Sequence, residues 1–170
     1  MKKQRGVTLL ETMATVAIAA ILATIGVPGL LELIRDTHQS SQVMDIVAHL
    51  NYARSEAIKR GYKVIVCPSL DGAVCSGEGR WQAGWIAFAD ANGNGAVDAT
   101  ETILRVHDKL NEGNTLQGGR PRIAYQSSGF SSGYNDTLKL CDARGAAKAR
   151  RVIISMQGRV RVAAGAASCP

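Results

Sequence analysis

The chain has 170 residues, 46% hydrophobic and 20% charged, a balance that excludes both a disordered chain and a polytopic membrane protein. Aromatic residues make up only 5% while glycine occurs 18 times, which argues for many turns and short strands over a helix bundle. A net charge of +6 is too small for this length to imply an anionic partner by itself, so its distribution carries the information.

The N-terminus begins with Lys2, Lys3, Arg5 and Gly6, and then runs from Val7 to Val27 with Glu11 as its one charge. Twenty-one residues of helix reach roughly 30 Å, one hydrocarbon thickness. Cations before the span keep the N-terminus in the cytoplasm, which sends everything beyond it to the periplasmic side of a bacterial inner membrane. Small residues at Ala19, Ala20 and Ala23 would also suit a secretory cleavage site. Against that stands Glu11, because a carboxylate inside an apolar run is costly and marks a specific partner.

Lys2-Lys3-Gln4-Arg5-Gly6 followed by Val7-Thr8-Leu9-Leu10-Glu11 resembles the prepilin processing site of type IV pilins and pseudopilins. The resemblance implies cleavage by a prepilin peptidase after Gly6 and N-methylation of Val7, although Val7 stands where family members usually carry Phe. It also implies that Glu11 meets the N-terminal amine of a neighbouring pilin during assembly. A buried carboxylate does need a paired cation. The resulting organisation is a leader at 1–6, a transmembrane and assembly segment at 7–29, and a periplasmic domain at 30–170.

Pro28, between Gly26 and Gly29, removes one helical hydrogen bond and predicts a kink. Val43, Ile46, Val47, Leu50, Ala53, Ala57 and Ile58 then recur at helical spacing, with Gly61 placed as a C-cap, so one helix is predicted from Val7 to Arg60. Beyond it the period becomes that of strands: 62–67, 81–89, 102–107, 122–125, 137–141, 151–155 and 159–163, separated by Gly and Asn/Asp turns. A helix followed by an antiparallel sheet is an α+β pattern. The stretch from Gln126 to Asn135 is the most loop-like and is expected to be mobile.

Four cysteines in an extracytoplasmic domain read as two disulfides, and local pairing favours Cys67 with Cys75 and Cys141 with Cys169. Zinc is disfavoured, since no C-x-x-C pair occurs and His38, His49 and His107 lie at no ligand spacing. Asp90, Asn92, Asn94, Gly95, Asp98 and Glu101 match a twelve-residue calcium loop, yet the flanks are strand-like and Asn-Gly is a strong hairpin signal. Both a plain hairpin and calcium as a cofactor stay open; no other cofactor is implied. A loop of this kind also resembles what many pseudopilins of the FimT/GspH type carry.

Residues 120–170 hold nine cations and two anions, a net +7, whereas residues 7–119 hold eight cations and twelve anions, a net −4. Arg144, Lys148, Arg150, Arg151, Arg159 and Arg161 dominate the last thirty residues. On a strand, Arg159 and Arg161 share a face about 7 Å apart, close to the spacing of successive phosphates, with Gly158 permitting a tight turn before them. The plainer reading is a solvated strand edge kept from aggregating by charge. Phe130 and Tyr134 are the only stacking residues near this end.

Leu138-Lys-Leu-Cys141-Asp142, Arg144-Gly145, Ala149-Arg150-Arg151-Val-Ile-Ile-Ser155 and Gly158-Arg159-Val-Arg161 resemble the C-terminal half of the FimT/GspH family, its FimT members above all. Asn51-Tyr-Ala-Arg54-Ser-Glu56-Ala-Ile58 carries the same likeness. In that family a Gly-Arg-x-Arg motif is implicated in sequence-independent DNA binding during natural transformation, and it falls here on Gly158, Arg159 and Arg161. The alternative is a structural pseudopilin of a type II secretion system without DNA binding. Catalysis is not expected: there is no nucleophile elbow, phosphate loop or recurring carboxylate pair.

Overall fold

The computed structural model describes residues 6, 8–110, 113–165 and 168–169; the leader residues 1–5 and Val7 lie outside the described residues. The chain divides into two compact units, residues 1–40 and 41–170. A single helix, α1 (Leu9–Arg60), supplies most of the first unit and opens the second.

In the first unit the helix is started by Thr8, whose hydroxyl accepts the Glu11 N–H at 3.3 Å. Thr8 and Glu11 thus stand in capping-box spacing, with the carboxylate at the positive end of the helix dipole. Thr12, Thr15 and Thr24 donate their hydroxyls to Leu9, Thr12 and Ile21 carbonyls. That satisfies three polar groups within a stretch that is apolar apart from these threonines and Glu11 and that stays exposed. The helix is long and apolar enough to cross a membrane. Pro28 costs a rung of the ladder but does not end the helix.

In the second unit α1 turns one stripe inward: Val43, Ile46, Leu50, Ala53 and Ala57 are all buried. The two alanines let the helix approach the strands closely. Gly61 ends it in the left-handed conformation (φ 75°), with its N–H bonded to Ala57 O at 3.1 Å. Arg60 donates to Glu56 Oε2 at 2.6 Å, one turn back, and this holds the Glu56 carboxyl below its usual range.

Eight strands follow: β1 (Lys63–Pro68), β2 (Trp85–Asp90), β3 (Ile103–His107), β4 (Thr115–Gln117), β5 (Ile123–Tyr125), β6 (Asp136–Cys141), β7 (Arg150–Ile154) and β8 (Val160–Ala164). They form two four-stranded antiparallel sheets, one ordered β3-β2-β1-β5 (sheet A) and one ordered β4-β6-β7-β8 (sheet B). The core lies between α1 and both sheets, joining Val64, Val66, Trp85 and Tyr125 of sheet A to Leu116, Leu138, Val152 and Ile154 of sheet B. Both disulfides pair as expected, Cys67 with Cys75 and Cys141 with Cys169.

Three local expectations change. The 81–89 run breaks at Gly84, whose φ of 114° and approach to His107 O exclude a side chain, leaving a short 3-10 turn at Trp81–Ala83 before β2. Strand β4 has no strand-like signature of its own: it is polar except for Leu116, which the core buries. The Gln126–Asn135 segment, expected to be mobile, is pinned instead. Ser131 is buried and donates to Ala124 O at 2.9 Å, its N–H reaches Met156 O at 2.9 Å, and Arg54 Nε donates to Gly129 O at 3.0 Å.

Candidate nucleic-acid interface

Alternation along the strands of sheet B divides its residues between two faces. Leu116, Leu138, Leu140, Val152 and Ile154 are buried and face the core. The opposite face therefore receives Thr137, Lys139, Arg151, Ile153, Arg161 and Ala163, and the antiparallel register sets Lys139 opposite Arg151 and Ile153 opposite Arg161. Arg159, two residues before Arg161, joins the same side. Arg159 and Arg161 are exposed, and Arg151 and Lys139 are half-buried. No outward position of these four strands carries a carboxylate.

Lys139 is a member that sequence spacing alone did not single out. Its signal was there, in the alternation of Thr137 and Lys139 with Leu138 and Leu140, but only the β6–β7 register makes it the direct neighbour of Arg151. Like charges facing each other across a strand pair are unfavourable. Stability alone would not select that pair.

The turn that presents Arg159 is built by Met156, Gln157 and Gly158. Gly158 N–H bonds Ser155 O at 2.8 Å, Ser155 N–H bonds Arg159 O at 3.0 Å, and Gly158 sits at φ 75°, the arrangement of a three-residue hairpin loop with a glycine bulge. A second constraint was invisible in the sequence. A Cβ at Gly158 would come within 2.1 Å of Gly129 O, so the β7–β8 turn lies flat on the Gln126–Asn135 loop. Arg54 of α1 closes the lock, donating from Nε to Gly129 O and from Nη2 to Gln157 O at 3.1 Å. The arginines after Gly158 are thereby carried on a turn held to the helix.

The remaining predicted basic residues are not brought to this cluster. Arg144 folds back on Asp142, with Nη2–Oδ2 at 2.7 Å and both side chains largely buried, and so braces the β6–β7 connection. Lys148 is exposed on the short 3-10 turn Ala146–Lys148, at the end of β7 away from the Gly158 turn. Arg150 falls on the face of Val152 and Ile154 by alternation. Of the stacking candidates, Phe130 is exposed whereas Tyr134 packs against the far face of sheet A.

The other predicted positions lie elsewhere. Gly6 is exposed, Val7 lies outside the described residues, and Glu11 is exposed in the first helical turn. Asp90, Asn92, Asn94, Asp98 and Glu101 share the β2–β3 loop. Among the described residues no group of three or more His, Cys, Asp or Glu side chains is placed to hold a metal ion.

Residues 42–158 match the family model of the type II transport protein GspH, and residues 1–27 match the prokaryotic N-terminal methylation motif. The fold is similar to that of the type IV minor pilin FimU of Pseudomonas aeruginosa, with a TM-score of 0.58 and 19% identity, covering 77% of this chain and 92% of that one. It is also similar to the minor pseudopilin EpsH from the type 2 secretion system of Vibrio cholerae, with a TM-score of 0.54 and 17% identity, covering 75% of this chain and 97% of that one. No curated protein matches the chain. At such identities the two structures share the fold with this chain, and the family assignment comes from the sequence models.

Proposed function

Since the chain belongs to the GspH family of minor pseudopilins, we propose that it is a minor type IV pilus subunit that binds DNA without sequence preference during DNA uptake. In this reading the leader is removed after Gly6 by a prepilin peptidase and Val7 is methylated. The subunit waits in the inner membrane with residues 30–170 in the periplasm, then enters the pilus through contacts of its N-terminal helix, Glu11 included, with other pilins.

The observation that supports DNA as partner is the outer face of sheet B, whose strand positions carry no carboxylate and which bears Arg159, Arg161, Arg151 and Lys139. Arg159, which closes the turn just before β8, and Arg161 on β8 are two residues apart on one side, near the pitch of a phosphate backbone, and guanidinium groups engage phosphates in bidentate fashion. With few aromatics near it, the face would hold backbone phosphates and not bases, so binding is salt-sensitive and blind to sequence. Two to four phosphate contacts give a dissociation constant of about 1 μM or weaker at physiological salt. Several copies in one filament would add avidity.

The test is a mobility shift of duplex DNA by the full chain in a nonionic detergent, across a range of salt. Wild type is expected to bind, with affinity falling as salt rises. Arg159→Ala with Arg161→Ala is expected to weaken binding at least tenfold and to lower the log–log salt slope by about two. Unchanged binding by the double variant would discard this surface. Absence of wild-type binding at low salt would favour the second reading, a structural pseudopilin of a type II secretion system, to which the likeness to EpsH lends support.

A further inference from the structure

The β2–β3 loop carries an arrangement that DNA binding does not use. Asp90 Oδ1 accepts the Gly95 N–H across the loop at 3.2 Å, and the Asn92 and Asn94 amides both reach Asp98 Oδ2, at 2.6 and 2.8 Å. Glu101 accepts the Ala91 N–H at 2.9 Å and so returns to the start of the loop. Gly93 and Gly95, at φ 80° and 79°, permit the bends that bring these side chains together. Contacts of this kind would equally serve a plain hairpin.

Asp90 itself points to a ligand. Its side chain is fully buried, and its Oδ2 accepts no hydrogen bond. The nearest cation, Lys63 Nζ, stands 3.4 Å away and also donates to Gly93 O at 3.3 Å. That ion pair offsets part of the cost of burying the carboxylate, but Oδ2 is left without an aligned hydrogen bond. Because Oδ1 of the same group bonds Gly95 on the far side of the loop, the carboxylate is aimed into the loop.

We propose that the Asp90–Glu101 loop is a calcium site of low affinity. Its ligands are the side-chain oxygens of Asp90, Asn92, Asn94, Asp98 and Glu101 together with the main-chain carbonyl of Ala96, which holds the seventh position of the spacing. Three carboxylates do not make a cage alone, so the set depends on neutral amide and carbonyl oxygens, which suits a hard, many-coordinate cation over zinc or copper. On binding, the Asn92 and Asn94 amides turn their oxygens inward and release Asp98. Lys63 beside Asp90, and Arg122, whose Nη1 donates to Gly95 O at 2.7 Å, oppose the ion's charge. They set the affinity near that of extracellular calcium modules, about 0.1–1 mM. Val97 of this loop packs on the outer cluster of sheet A, so the ion would fasten part of that sheet's cover.

The test is calorimetric titration and thermal unfolding of the chelator-stripped full chain in detergent, with calcium and with magnesium at matched ionic strength. Wild type is expected to give saturable heat with calcium and a rise in Tm of about 3–6 °C at about 10 mM. Asp98→Asn with Glu101→Gln is expected to abolish both while keeping the metal-free Tm, and Asn92→Ala is expected to weaken them. The proposal is overturned if wild type gives neither heat nor a Tm shift. Equal calcium shifts in wild type and the double variant, or an equal response to magnesium, would overturn it as well.

Discussion

Among the described residues, sheet A is covered on both faces, whereas the outer face of sheet B is covered only at the β6 end, where Cys169 packs on Cys141 and Lys139 donates to Ser168 Oγ at 2.8 Å; this difference organises the domain. In β1 and β2 nearly every residue is buried. One face of sheet A meets α1, while Ile65, Cys67, Ile86, Phe88 and Ala124 on the other lie under Cys75, Val97 and Tyr134, contributed by three separate loops. Sheet B has the alternation of a sheet that meets water, with Leu138, Leu140, Val152 and Ile154 inward and Thr137, Lys139, Arg151 and Arg161 outward. Loops spent on covering one sheet leave the other free to meet a partner. Each sheet also has its own staple, Cys67–Cys75 in the cover of sheet A and Cys141–Cys169 at the border of sheet B.

The sharpest way to break the comparison is to place one lysine on each outer face. Ala124→Lys would bury an ammonium under the cover of sheet A, where Ala124 is wholly inaccessible. It is expected to cost about 4 kcal/mol or more, or to prevent folding. Thr137→Lys puts the same group on the outer face of sheet B and is expected to change stability by no more than about 0.5 kcal/mol. Denaturant melts of the two variants check this; equal costs would show that the outer face of sheet B is covered too.

Acid tests the side of the core where α1 meets sheet A. His49 is buried edge-on to Trp85, 5.7 Å between ring centroids, and Trp85 stacks on His107 at 3.9 Å. Burial, with the Arg105 guanidinium and His107 nearby, lowers the His49 pKa to about 4. Folded protein keeps this ring neutral while the unfolded chain takes up a proton below about pH 6.5. The stabilisation is thus complete above pH 6.5 and is lost as pH falls towards 4, amounting to about 3 kcal/mol at most. His49→Phe is expected to flatten stability across that window. Glu56 and Asp71, whose pKa values are lowered by Arg60 and by the Ala73 and Val74 amides respectively, lose their contributions only at lower pH. A slope that survives His49→Phe would move its origin to another group.

Periodicity and spacing made much of this legible. The stripe from Val43 to Ala57 announced the helix and its buried face, and the cysteine spacing announced both staples. Tertiary pairing decided the rest. Leu116 is one apolar residue in a polar stretch, so β4 exists because β6 and the core accept it. Ser131 and Gly129 read as loop residues, and it takes partners distant in sequence to pin their loop: Met156 for Ser131, and Arg54, 75 positions earlier, for Gly129. Arg144 and Arg150 counted as members of a basic cluster in the sequence, but charge counts ignore partners and faces: Asp142 claims one, and strand alternation turns the other inward. Lys139 entered the patch through register, which one strand's sequence does not encode.

The smallest expected effect bears most directly on whether the outer face of sheet B was selected for binding. Arg151 lies between Lys139 and, diagonally, Arg161, and its Nε is buried without a hydrogen-bond partner. A residue so placed adds like-charge repulsion and an unmet donor to the fold. Arg151→Gln removes both, at the loss of some packing by the long side chain. It is expected to leave stability unchanged or raise it by up to about 1 kcal/mol, while lowering DNA affinity severalfold. Denaturation and mobility-shift measurements on the same variant decide the matter. Binding and stability moving in opposite directions would mark a surface kept at a cost to the fold, whereas a loss of more than about 1 kcal/mol in stability would make Arg151 a structural residue whose charge is incidental.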